Sequence, residues 1–324
     1  MSHAKKSGLS GFQLSGLNKA IVGTLGLSIA GLYLEAGLDA LNGGKHAADS
    51  NQGTAQAAST DPASPQLIYA NLPRYSLFGD ADDDLAAQAK ALSGPIKVAS
   101  AADLDNKFSA AGFTLSDVRD GGDVPRVLLV NLPKDLSSLR SVKAKKSLFI
   151  RSMLPLVLQA NEKVREDRLR LLKLMVRDGQ PGEANRKWLL ELADNYGVDI
   201  TDLKKGGDLR KVMTDLKIRV DIVPPSLALA QGAEESGWGT SRFAREGNAL
   251  FGQRTWRSTT GLVPKKREEG KKFKVRAFDH LLDGVKAYAR NLNVHPFYKE
   301  FRERRAAMRK SADQTIDGMK LVPT

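Results

Sequence analysis

Hydrophobic and polar positions follow different periods in different parts of the chain. An uncharged run from Ala20 to Leu34 follows Lys5, Lys6 and Lys19 and stops at Glu35. Basic residues before an uncharged apolar run predict an export or anchoring segment. The run is long for a signal-peptide core and short of a full span of about 20 residues. No small-x-small cleavage site follows closely, so an uncleaved anchor at about residues 20–38 is expected. Residues 45–67 are polar and rich in Ala, Ser and Thr, the composition of a flexible tether. Residues 80–125 show no sustained period. They hold an acidic patch (Asp80, Asp82, Asp83, Asp84) and a helical stretch at 85–92.

Residues 126–131 read as a strand, and from about 138 the period becomes helical. Residues 145–176 predict one long amphipathic helix kinked at Pro155. Trp188, Leu189, Leu192, Ala193 and Tyr196 mark a second helix, and Asp208 to Leu216 a third. Pro224 and Pro225 suit the start of another, where a missing N–H costs nothing. Leu227, Ala228, Ala230 and Ala233 give it a small-residue packing face, and Gly237 or Gly239 would stop it. Alternation in Lys271 to Phe278 predicts a half-buried strand, paired with Thr255 to Pro264 in a hairpin around Arg267-Glu268-Glu269-Gly270. Asp279 suits the N-cap of a helix whose core stripe is Leu281, Leu282, Val285, Tyr288, Ala289 and Leu292. Pro296 opens a last helix, whose Arg302-Glu303-Arg304-Arg305 face reads as solvated. The expected organisation is an anchor at 1–44, a tether and poorly defined region at 45–120, and a folded domain at 121–324 with its core at about 217–324.

Composition narrows the chemistry. The 324 residues contain no cysteine, which excludes disulfides and thiolate metal sites. His3, His46, His280 and His295 are scattered without ligand spacing, and no phosphate or dinucleotide fingerprint occurs, so neither metal nor cofactor is expected. The formal charge is +13, and residues 217–324 hold 22 basic against 12 acidic residues. A basic groove would suit an anionic polymer; a solvated basic surface is the other reading. No nucleic-acid module accompanies the charge, so nucleic acid is not an expected partner.

The candidate chemistry lies at Glu234 and Glu235, at the far end of the helix begun by Pro225. A carboxylate there meets the negative end of the helix dipole, and a neighbouring indole, Trp238, would add desolvation. Both keep a carboxylic acid protonated toward neutral pH, as a general acid requires. Adjacent helix positions point about 100° apart, so Glu234 is expected to face solvent beside a functional Glu235.

The order of residues is more specific than the physics. Glu235-Ser236-Gly237-Trp238-Gly239, then Ser241-Arg242-Phe243-Ala244 and Asn248-Ala249-Leu250-Phe251-Gly252-Gln253, resembles the Bax-type N-acetylglucosaminidases, within the glucosaminidase domains of glycoside hydrolase family 73. The resemblance continues through Val275-Arg276-Ala277-Phe278-Asp279 and from Tyr288 to Pro296, with weaker pieces at Val124-Pro125-Arg126 and Leu154-Pro155-Leu156-Val157. It implies a mainly α, lysozyme-like helical domain with a small β-hairpin lobe. It also implies cleavage of the bacterial cell-wall glycan after N-acetylglucosamine, in the periplasm or cell envelope. Glu235 would be the acid, and Glu269 or Glu268 on the lobe the second carboxylate. The substrate's own acetamido oxygen is the alternative to that pair. Trp238, Asn248, Phe251, Gln253, Trp256 and Tyr288 are the expected glycan-binding residues. A lytic transglycosylase and a catalytically impaired wall-binding scaffold stay open as alternatives. Two departures stand out: Arg254 replaces an expected aromatic, and the chain ends at Thr324 where a further helix is expected.

Overall fold

The computed structural model describes residues 95–176, 181–201, 208–256, 261–265, 267, 270–311 and 314–322. The expected anchor, the tether at 45–67, the acidic patch, and both Glu268 and Glu269 lie outside the described residues. Among the described residues no helix is long and apolar enough to cross a membrane.

In chain order the elements are β1 (Pro95–Ile96), α1 (Ala101–Ala110), α2 (Leu115–Arg119), β2 (Leu128–Leu129), α3 (Val142–Val176), α4 (Glu183–Asn195) and α5 (Leu209–Arg219). Then follow α6 (Pro225–Ser236), α7 (Arg242–Gly247), β3 (Arg254–Thr255), β4 (Gly261–Leu262), β5 (Lys274–Arg276), α8 (Leu281–Val294) and α9 (Lys299–Met308). The architecture is mainly α with a small β lobe, as the lysozyme-like expectation required.

α3 organises the molecule. It runs unbroken through Pro155, and every residue from Arg151 to Asn161 is buried. A helix apolar on one stripe would leave half of these exposed; this segment is instead surrounded, with α5, α6 and α8 packed on it. Its polar members are spent on backbone. Gln159 donates to the Val127 carbonyl at 2.8 Å, and Asn161 both donates to and accepts from the backbone of Val223. The C-terminal half of α3 shares a second core with α4 and α5, built on Leu171, Leu189, Leu192, Val212 and Leu216.

Three features differ from the sequence reading. Residues 101–119, expected to be poorly defined, form α1 and α2. Ser100 and Thr114 cap them by accepting from Asp103 N and Asp117 N, and Leu104 and Phe108 are buried. Side-chain caps of this kind are worth about 1 kcal/mol each. The lobe is a three-stranded antiparallel sheet in the order β3-β5-β4, with Arg254 opposite Val275 and Leu262 opposite the same residue, and not a lone hairpin. His280 is the N-cap of α8, while Asp279 gives its carbonyl to the Asn248 amide.

The packing of α9 overturns the reading of its basic face as solvated. Arg302 and Arg305 are buried. Arg302 donates to Leu292 O, among the last carbonyls of α8; Arg305 donates to Ile218 O and Arg219 O, the last of α5. Those carbonyls have no partner within their own helices, and the guanidinium groups supply one. Arg305 also reaches Asp221 O, Ile222 O and Asn293 Oδ1. Asp221 itself is buried and paired with Arg309 at 2.8 Å and Arg168 at 3.4 Å. Burial alone would raise the Asp221 carboxyl; the charges of Arg168, Arg309 and Arg305 outweigh it and hold the group below the ordinary carboxylate value. Burial likewise pushes Arg305 down to about 10, against the opposing pull of Asp221. The effect of this network is to pin Val220–Val223, the segment from which α6 sets out.

Candidate active site

α6 starts as its sequence dictates, with Pro224 as N-cap and Pro225 at the first helical position. Its end is more unusual. Gly237, Trp238 and Gly239 are all left-handed, at φ 57°, 57° and 78°. The amide of Trp238 closes on Ala233 O at 2.7 Å, satisfying a terminal carbonyl. Ser236, fully buried, donates to Gly232 O and accepts from Gly239 N at 2.8 Å. Gly239 has no room for a side chain: a Cβ there would collide with Leu132 and come within 3.2 Å of Phe149. The Glu-Ser-Gly-Trp-Gly order is therefore a structural requirement as far as Ser236, Gly237 and Gly239 are concerned.

This turn leaves Glu235 on the open side of the helix end. The protein around its carboxyl raises its pKa by desolvation, and the adjacent Glu234 charge adds to the rise. Water on the open side moderates both effects. Glu234 does not face solvent as expected. It is half-buried, and its Oε2 is enclosed without a hydrogen-bond partner.

The Asn-Ala-Leu-Phe-Gly-Gln block wraps against this carboxyl. Asn248 turns the chain at φ 51° and is only 3 % exposed. Its amide donates to Phe278 O and Asp279 O, and its Oδ1 accepts from Asn131. Those bonds use it as a joint between α7 and the start of α8. Three residues on, Phe251 lies flat on Tyr288 with centroids 3.9 Å apart and planes 8° apart. Gly252, at φ 57°, then passes so close to the acid that a Cβ on it would lie 3.4 Å from Glu235 Oε2.

Tyr288 is 7 % exposed and donates its hydroxyl to Gln231 Oε1. Burial holds its phenol protonated, with Tyr298 and Glu235 adding to the effect. Tyr298, half-buried beyond the end of α8, is raised by burial and then by Glu235. The chain thus gathers Glu235, Gly252, Tyr288 and Tyr298 around one carboxyl. Trp238 turns toward α3, edge-on to Phe149 and 5.0 Å from Lys146 Nζ. Trp256, 72 % exposed at the end of β3, presents a free aromatic face, and Gln253 gives its backbone carbonyl to Arg276 N.

Gln231 and Tyr298 were not among the expected site residues. Gln231 was legible, because it precedes Glu235 by one helical turn and shares its face. Tyr298 was not: the 3₁₀ turn Pro296–Tyr298 that returns it to the site follows from packing. Among the described residues no group of His, Asp and Glu could hold a metal ion. What the arrangement offers is a carboxyl whose pKa is raised above its ordinary value, open on one side, with two protonated phenols nearby.

Comparison with known proteins agrees with this geometry. Residues 211–320 match the glucosaminidase family described as mannosyl-glycoprotein endo-beta-N-acetylglucosaminidase. The chain is 34% identical over 189 residues to the protein Bax of Escherichia coli strain K12. That alignment covers 58% of this chain and 65% of Bax, so the chain spans just under two thirds of that relative's length. No solved structure matches. The matched region contains all of α6, the lobe and α8, and the similarity to Bax-type, glucosaminidase-like proteins read from the Glu-centred block is shown.

Proposed function

We propose, for a chain similar to Bax-type glucosaminidase-like proteins, that it is a glycoside hydrolase which cuts the bacterial cell-wall glycan after N-acetylglucosamine. The observation that carries the reading is Glu235: a carboxyl with a raised pKa on a solvent-open helix end, flanked by Gly252, Tyr288 and Tyr298. In this mechanism Glu235 gives its proton to the glycosidic oxygen as that C–O bond breaks. Positive charge develops on the ring carbon and oxygen, and water adds to the carbon with loss of a proton. Trp256 and the open edge of the Phe251–Gln253 segment line the path of the sugar chain.

The variants of this chemistry differ in the group that assists Glu235. Among the described residues Glu234 is the carboxylate whose charge reaches Glu235. It precedes the acid on the same helix and offers no carboxyl on the opposite face of a sugar. Glu268 and Glu269, outside the described residues, are the candidates for an acid–base pair. Without them the substrate's acetamido oxygen would assist, or the 6-hydroxyl would close on the ring carbon as in a lytic transglycosylase. Mass spectrometry of purified cell wall digested by the full chain separates hydrolysis, by either of the first two routes, from transglycosylation. Reducing N-acetylglucosamine ends support hydrolysis. A product lighter by one water, a 1,6-anhydro sugar, assigns the transglycosylase. Intact wall overturns both and leaves the scaffold reading. We further propose export through residues 1–40; fused to a reporter active only outside the cytoplasm they should give signal, and a silent reporter with soluble cytoplasmic protein would end that claim.

A further inference from the structure

Along several helices of this chain the surface cations are matched in pairs. Lys107 meets Asp103, Arg242 meets Glu246, Lys299 meets Glu303 and Arg304 meets Glu300. One face has no such matching. The 3₁₀ turn Lys134–Ser138 and the start of α3 bring together Lys134, Arg140, Lys143, Lys145 and Lys146. Among the described residues none of the five is in an ion pair. Lys145 Nζ donates to Ser137 O at 3.5 Å, which ties the turn to the helix. Asp135, the carboxylate of this stretch, accepts from Ala101 N at 2.8 Å. Lys143 and Lys145 also stand in the first turn of α3, at the positive end of its dipole, where a cation is least favoured. The face is therefore a local excess of positive charge.

It borders the end of α6. Leu132, Leu136 and Phe149 close around Gly239, and Lys146 Nζ lies 5.0 Å from the Trp238 ring centroid. The chain itself carries a matching anion. Asp80, Asp82, Asp83 and Asp84 lie outside the described residues and precede β1. Asp84 stands 11 positions before Pro95, Pro95 pairs with Leu128, and Leu128 stands 6 positions before Lys134. Eleven residues extend to ~36 Å, whereas six residues and one strand spacing separate Pro95 from Lys134 by at most ~27 Å. The aspartates are thus within reach of the face.

We propose that the basic face at the start of α3 is a docking surface for this chain's own Asp80–Asp84 segment. Four carboxylates facing five cations make a network, the arrangement in which exposed charges contribute more than isolated pairs do. Docked there, the segment covers the cations beside Trp238 and withholds them from foreign polyanions. Catalysis plays no part in this inference, which stands or falls apart from the glycosidase reading.

The test is zero-length crosslinking of the full chain with a water-soluble carbodiimide. The reagent joins a carboxylate to a lysine amine as an amide and takes up the water as its urea. Mass spectrometry should find Asp80–Asp84 linked to Lys134, Lys143, Lys145 or Lys146 about fivefold more often than to the exposed Lys187 or Lys286. Raising salt from about 0.1 M to 1 M shortens the Debye length from ~10 Å to ~3 Å and should remove most of that preference. Arg140→Glu combined with Lys143→Glu, both at exposed positions, should bring the links to Lys145 and Lys146 down to the level of Lys187. Links spread evenly over the lysines, or a preference that survives salt and the double variant, overturn the proposal. A mixture of isotope-labelled and unlabelled chains shows whether each link lies within one chain; links between chains would assign the face to a second copy instead. Absent links, with binding to phosphatidylglycerol-containing vesicles that the double variant loses, would assign it to a lipid surface.

Discussion

Glu235→Gln keeps the size of the side chain and removes its proton. General acid–base catalysis contributes about 10²–10⁴-fold, so wall digestion should fall by at least the lower figure. The fold should not suffer. Because the folded-state pKa of Glu235 is raised, the folded protein holds that proton more tightly than the unfolded chain. The resulting stability is present below the unfolded value and is lost as pH rises through the folded one. Glu235→Gln should therefore melt at an equal or higher temperature at pH 7, with the gap closing toward pH 4. Glu234→Gln should act differently: it removes the second cause of the Glu235 shift. Its low-pH activity should be retained, while the alkaline limb of the rate profile moves to lower pH. A limb in the same place as wild type would mean that Glu234 does not tune the acid.

At the scale of elements, the three left-handed residues after α6 hold the site in place. Gly239→Ala would force a side chain into Leu132 and Phe149 at a φ that favours glycine. Backbone strain and overpacking cost about 1–3 kcal/mol each, so a loss of roughly 2–5 kcal/mol in urea or thermal unfolding is expected. A Gly239→Ala protein as stable as wild type would rule out the described turn. Much at this scale was readable in advance. The core stripe of α8, the proline start of α6 and its glycine stop all follow from local periodicity and terminal chemistry. α1 and α2 were not readable, since they are short and their order comes from capping and from Leu104 and Phe108 meeting the core. The central part of α3 looked amphipathic because Arg151, Ser152, Gln159 and Asn161 break its apolar run. A one-dimensional pattern does not show that those polar groups find backbone partners inside.

For the whole molecule, the basic excess divides into two populations that composition cannot separate. Arg168, Arg302, Arg305 and Arg309 are internal fasteners, whereas Arg254, Arg276, Lys286 and Arg290 line an open cavity. Asp221 balances the first group. Asp221→Asn would leave its guanidinium partners buried without a counter-charge, a loss typically of about 3–5 kcal/mol, or about 6–20 °C in Tm for a domain of this size. Because the Asp221 carboxyl is held below its ordinary 3.8, its contribution is present above that value and disappears as pH falls through the lower, folded one. The wild-type Tm should drop steeply below about pH 4, and the Asp221→Asn profile should be flatter there. Parallel profiles would show that other carboxylates govern acid unfolding.

The open side of Glu235 has one more consequence. In the free protein, water still reaches the carboxyl and limits its desolvation. A glycan laid across it would displace that water, and the proton affinity of the group would climb further. Binding should then draw a proton from the buffer whenever the pH lies between the free and bound pKa values. Calorimetric heats measured in buffers of different ionisation enthalpy would reveal that uptake, and Glu235→Gln would abolish it. An enzyme built this way loads its acid with a proton by engaging its substrate, and holds that proton less tightly when nothing is bound.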